Sequence, residues 1–142
     1  MASIASILII TAATTAALDN GLARTPPMGT NSWTAVGTGV SAEFLLSTAS
    51  LLTSTGLKSK GYNTVCSDDG WSLGQRDSGG LLVADPAKFP GGISNLTSLL
   101  NGQGYIFGIY AAASSVVCSG RPGSLYNEGL ECPHLCQLGR GA

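Results

Sequence analysis

The sequence has 142 residues, 44% of them hydrophobic and only 11% charged, with eight acidic against seven basic side chains and a formal net charge of −1. That balance does not suit a polyanionic partner such as nucleic acid, nor an anionic membrane surface. Sparse charge and 20 glycines also exclude a charge-rich disordered tail, and fit a turn-rich globular segment of one domain.

Met1 to Ala17 read MASIASILIITAATTAA, an apolar stretch around Ile7 to Ile10 followed by small residues that offer an Ala-x-Ala-like cleavage site. Residues 1–17 are expected to be a secretory signal peptide; an apolar first strand or helix is the other reading. The stretch falls short of the ~20 residues of a membrane span, so a secreted, extracellular chain without a membrane partner is expected. On export, Asn95-Leu96-Thr97 becomes a glycosylation sequon with Asn95 as acceptor.

Leu18 to Trp33 form a turn-rich opening in which Pro26 and Pro27 fix an extended approach to Met28 and Gly29, as at a strand end or an active-site loop. From Ser41 onward, Phe44, Leu45, Thr48, Leu51 and Leu52 recur at helical spacing, with Ser41 as N-cap and Gly56 as stop. Tyr62 to Cys66 read as a short buried strand that delivers Ser67, Asp68 and Asp69 at its C-terminal end. Pro90, Gly91 and Gly92 break the chain before a second helix carrying Ile93, Leu96, Leu99 and Leu100 on one face, closed by Gly102 or Gly104. Tyr105 to Tyr110 make another strand. This alternation is the rhythm of βα units on a parallel sheet, so the fold class is α/β.

In an α/β barrel the chemistry lies at the C-terminal ends of the strands, where Asp68 and Asp69 fall. Adjacent carboxylates there can accept hydrogen bonds from vicinal sugar hydroxyls, with Trp33 and Trp71 offering flat apolar faces to the ring. An ordinary Asx turn leading into a loop is the other reading of the same pair.

The opening LDNGLARTPPMGTNSW of Leu18 to Trp33 resembles that of the melibiase-type α-galactosidases of glycoside hydrolase family 27. The resemblance continues through Gly61-Tyr62, SDDGW at Ser67 to Trp71, Arg76-Asp77, KFPGGI at Lys88 to Ile93, FGIY at Phe107 to Tyr110 and CSGRPGSL at Cys118 to Leu125. It implies the N-terminal portion, about three βα units, of a (β/α)8 TIM barrel in residues 18–131. It also implies a secreted enzyme that removes terminal α-linked galactose from oligosaccharides or galactosylated polymers by a retaining, two-aspartate mechanism, without cofactor or metal. Carried over by position, Trp33 stacks on or near galactose, and Asp68 and Asp69 bind its hydroxyls. Cys118 matches a cysteine that in the family is disulfide-bonded beside the nucleophile. The nucleophile and the acid/base have no match in this chain, which is therefore expected to be inactive alone. An α-N-acetylgalactosaminidase-like enzyme, which shares the opening motifs, and a non-catalytic secreted sugar-binding or structural protein are the alternatives.

Against the family pattern, Thr30 replaces a tryptophan, Thr38 and Gly70 replace two cysteines that pair with each other, and Ala111 to Ser114 replace a polar S-D-A-G loop. From Cys132 the pattern is lost. Read one base out of phase, the codons for His134 to Arg140 admit the expected T-F-A-S-W-G-V, so residues 132–142 are expected to be a frameshifted tail. Cys132 and Cys136 are then accidental. The rival readings are a zinc site from Cys132, His134 and Cys136, which lacks a fourth ligand, and a small protein held by two disulfides among Cys66, Cys118, Cys132 and Cys136.

Overall fold

A computed structural model describes residues 24–141. The expected signal peptide and the first residues of the opening motif lie outside them. Three strands, β1 (Gly29–Asn31), β2 (Thr64–Ser67) and β5 (Ile106–Ile109), form a parallel sheet in the order β1-β2-β5. Parallel neighbours require crossovers, and helices supply them: α2 (Ala42–Ser54) lies between β1 and β2, and α3 (Gly92–Gly102) between β2 and β5. The strand and helix expectations are met, with ends shifted by one or two residues.

Local chemistry sets these elements. Ser41 caps α2, its hydroxyl accepting the Phe44 N–H at 3.1 Å. Gly29 pairs with Thr64 so closely that a Cβ on it would stand 1.9 Å from the Thr64 carbonyl oxygen. Behind the sheet, Val65 and Phe107 pack with Leu45, Leu52, Phe89, Ile93, Leu96 and Leu100 in one core. Tyr105 closes it, donating its hydroxyl to the Ala49 carbonyl at 2.6 Å.

The buried helix faces are narrower than expected. On α2 the buried residues are Leu45, Ala49 and Leu52, whereas Leu51 is 62% exposed. Phe44, Thr48 and Leu51 line an open groove with Thr30 of β1, because β1 has no partner strand on its outer side among the described residues. On α3, Ile93, Leu96, Thr97 and Leu100 are buried, and Leu99 is exposed. The helix ends at Gly102, and Gly104 makes the left-handed turn into β5.

Between β2 and α3 the chain forms an antiparallel hairpin, β3 (Ser72–Arg76) with β4 (Leu82–Ala84), where the sequence reading had only a loop. Its turn is held by Asp77, whose carboxylate accepts the Gly79 and Leu81 N–H groups at 2.9 and 2.8 Å. A four-residue helix, α1 (Trp33–Val36), follows β1 directly. The last helix, α4 (Glu128–Arg140), runs through Pro133 and packs on α3, where Thr97 donates its hydroxyl to the Leu138 carbonyl at 2.8 Å. Its most deeply buried side chain is an acid, Glu131, which forms an ion pair with Arg76 of the hairpin.

Candidate functional site

At the C-terminal end of β2 the chain turns through Asp68, Asp69 and Gly70, and Gly70 takes φ +100°. Two contacts from the neighbouring β1 end fix Asp68. Its N–H donates to the Ser32 hydroxyl at 3.0 Å, and its Oδ2 accepts the Asn31 amide at 2.7 Å. Asn31 also accepts the Trp33 N–H at 2.8 Å through its own carbonyl. One amide therefore ties the backbone of Trp33 to the Asp68 carboxylate. The Asx turn is present as well, with Asp69 N–H donating to Asp68 Oδ1 at 2.7 Å. The Asx-turn reading of the acid pair therefore accounts for one oxygen of Asp68, and the other accepts the Asn31 amide.

Asn31, Ser67, Asp68, Tyr110 and Ala111 line an open cleft of about 280 Å³ across the strand ends. Tyr110 was not singled out from the sequence, although its place directly after the apolar run of β5 is the signal that marks it. Desolvation first, then the neighbouring Cys118 thiol and the Asp69 and Asp68 charges, raise its pKa. Burial, aided by the Asp68 charge, likewise pushes the Cys66 thiol up.

Two of the expected sugar contacts are buried. Asp69 is 2% exposed, and each of its oxygens accepts an internal hydrogen bond, from the Ser119 N–H at 2.7 Å and the Ser119 hydroxyl at 2.8 Å. Trp71 is also 2% exposed; its indole sits in the core and donates to the Tyr110 carbonyl at 2.8 Å. An indole following an acid turn is drawn inward here because burying its large apolar surface outweighs leaving it at the cleft. Trp33, Asp68 and Cys118 remain solvent-accessible around the strand ends.

The cysteines carry no bridge: Cys66, Cys118, Cys132 and Cys136 are all free thiols, which corrects the two-disulfide reading. Cys132, His134 and Cys136 do not converge. His134 turns its Nε2 to the Leu82 carbonyl at 3.1 Å, while both cysteines are exposed, and residues two apart on a helix face opposite sides. No group of three or more metal-ligating side chains occurs among the described residues. Thr38 and Gly70, standing where the resemblance places a cysteine pair, are in contact, since a Cβ on Gly70 would lie 2.9 Å from that of Thr38. Lys88 joins them by donating to both carbonyls, at 2.7 and 2.9 Å. Asn95 is exposed on α3, whereas Thr97 of its sequon is buried.

Parallel strands joined by helices, with an acid, an amide and aromatic groups gathered at their C-terminal ends, are the construction of an α/β enzyme segment. The melibiase family model described as alpha galactosidase A matches residues 28–139, and the chain belongs to that family of glycoside hydrolases. Alpha-galactosidase 5 of Saccharomyces cerevisiae is 46% identical over 109 residues, 77% of this chain and 23% of its own length. Among solved structures, alpha-galactosidase I from Mortierella vinacea superposes with a TM-score of 0.82 at 39% identity, over 86% of this chain and 31% of that one. The Saccharomyces cerevisiae α-galactosidase solved with raffinose gives 0.73 at 43% identity, over 77% of this chain and 24% of that one. The chain thus spans less than a third of the length of these relatives. No helix among the described residues is long and apolar enough to cross a membrane.

Proposed function

We propose that residues 18–131 are the first βα units of a (β/α)8 barrel α-galactosidase, and that they supply the part of the site that grips a terminal α-D-galactose. The observation that carries this reading is Asn31, whose amide holds the Asp68 carboxylate while its side-chain carbonyl accepts the backbone N–H of Trp33, an accessible residue at the same strand ends. A carboxylate oxygen accepts sugar hydroxyls and an indole covers the apolar face of the ring. Tyr110 adds a hydroxyl from the next strand. Asp69 and Trp71 act from behind, holding the loops in place. The relative solved with raffinose supports an α-galactoside oligosaccharide as ligand, and a secreted setting follows from the leader-like residues 1–17.

In the whole enzyme, one aspartate attacks the anomeric carbon to give a covalent glycosyl-enzyme while a second protonates the leaving oxygen, then activates water to release galactose with retained configuration. No residue of this chain matches either one. The 142-residue chain is therefore proposed to bind galactose weakly without hydrolysing galactosides. A chemical-shift titration with galactose and with glucose, run beside a chromogenic α-galactoside assay, tests both parts. Saturable, galactose-selective shifts at Trp33 and Tyr110 with turnover equal to a blank preparation are expected. Absence of any galactose-dependent shift removes the binding reading, and turnover above the blank removes the inactivity. For the tail, the nucleotide sequence decides: no one-base shift near Glu128 restoring T-F-A-S-W-G-V would sink the frameshift.

A further inference from the structure

We propose that Arg121 and Ser119 are positioning residues: together they latch the buried Asp69 and thereby hold the turn that carries Cys118 against the end of β2. The latch stands on its own hydrogen bonds. Only its consequence for sugar affinity rests on the function proposed above.

Ser119 sits at the tip of a tight turn, where Val117 N–H donates to the Arg121 carbonyl at 2.8 Å and Val116 bridges Pro122. From that tip its N–H and hydroxyl reach the two oxygens of Asp69, 50 residues earlier in the chain. Arg121 donates from Nη1 to the same hydroxyl at 2.8 Å and from Nε to the Ser72 carbonyl at 2.8 Å. A guanidinium only donates and an ionised carboxylate only accepts, so the Ser119 proton has one destination. The chain of bonds runs from Arg121 through Ser119 to Asp69.

This polarity explains how a carboxylate exposed by only 2% is tolerated. A buried charge is costly unless it is hydrogen-bonded and compensated, and here the compensating cation stands one hydroxyl away. Cys118, adjacent to Ser119, is carried by the same turn. Opening the latch would free this turn without altering Trp33, Asp68 or Tyr110, the groups proposed to contact sugar.

Hydrogen exchange resolved to peptides, with galactose titration in parallel, tests this in the full chain. Ser119→Ala removes the relay, Arg121→Lys removes the fork, and Ser119→Thr keeps the hydroxyl. Exchange across residues 111–125 should quicken about tenfold in the first two variants, as expected for loss of a charge-assisted bond, and stay at the wild-type rate in Ser119→Thr. Peptides from α2 and α3 should not change. Galactose affinity should fall severalfold in Ser119→Ala and recover in Ser119→Thr. Exchange within twofold of wild type in both disrupting variants, or equal acceleration in α2 and α3, overturns the latch. Failure of wild type to bind galactose overturns the proposed function instead, and the exchange result still decides the latch.

Discussion

Asn31 donates its amide to Asp68 across 37 residues of sequence, at 2.7 Å, and turns its carbonyl to the backbone of Trp33. Asn31→Ala cuts both ties at once. Because Asn31 is exposed, the fold has little to lose, and the melting temperature should move by only a degree or two. Galactose affinity should drop about tenfold, equivalent to ~1.4 kcal/mol. Asn31→Asp should do at least as much harm, since it sets a second negative charge against Asp68. Titrations giving the same affinity for Asn31→Ala as for wild type would show that the amide does not organise the cleft.

Arg76 and Glu131 join the hairpin to α4. Arg76 also donates to the Gly80 and Gly123 carbonyls, each at 2.7 Å, so its removal costs contacts whatever the state of Glu131. The informative quantity is the difference between backgrounds. Alone, Arg76→Ala strands a carboxylate that is 1% exposed and has an oxygen, Oε2, accepting no hydrogen bond. Leaving one partner of a buried pair charged costs roughly 3–5 kcal/mol. In a Glu131→Gln background the same change should cost clearly less, by about 2 kcal/mol in urea denaturation. Identical losses in both backgrounds would mean that the Glu131 charge is not felt.

The sheet and its two crossover helices were legible because period and punctuation agree: apolar residues at helical spacing after Ser41, and short apolar runs before Asp68 and after Gly104. The hairpin was not, because β3 is largely exposed, with residues 73–75 all on the surface, and carries no apolar alternation to announce a strand. Its signal lay in the turn, Asp77-Ser78-Gly79-Gly80, rather than in the strands. At the site, residue types singled out Trp33 and the acid pair, but sequence adjacency cannot tell which of two neighbouring acids faces solvent. That choice is made by Ser119, a partner far away in sequence. Trp71 was misjudged for the same reason, since its place in the core depends on a carbonyl presented by Tyr110.

The raised pKa of the Cys66 thiol gives a pH signature. Burial is its first cause and the Asp68 charge its second. A thiol whose pKa is higher folded than unfolded stays neutral in the native state while the unfolded chain ionises. Stability from this group is therefore complete below the ordinary thiol value of about 8.5 and is lost as pH rises from there through the folded value. Cys66→Ala should flatten that alkaline slope relative to wild type, while a similar change at the exposed Cys136 should leave it alone. Peptide-mapped alkylation should also find Cys66 the slowest of the four thiols. Parallel stability curves for wild type and Cys66→Ala between pH 8 and 10 would contradict this.

Gly29 offers the sharpest test that β1 must lie against β2 for the site to exist. A methyl group there would meet the Thr64 carbonyl oxygen at 1.9 Å and its carbonyl carbon at 2.6 Å, and these are backbone atoms that cannot swing aside. The strand would have to separate, breaking the Thr64 N–H bond to the Met28 carbonyl and the Ser32 N–H bond to the Cys66 carbonyl, at 3.1 and 3.2 Å. Gly29→Ala should cost roughly 3 kcal/mol or more, at the high end of single substitutions, and should abolish galactose shifts at Trp33. Gly74→Ala is the matched control: nothing lies within 4 Å of its added carbon, so both melting and titration should stay at wild-type values. If Gly29→Ala melted like Gly74→Ala, the close pairing of the first two strands, and with it the shared placement of Asn31 and Asp68, would not hold.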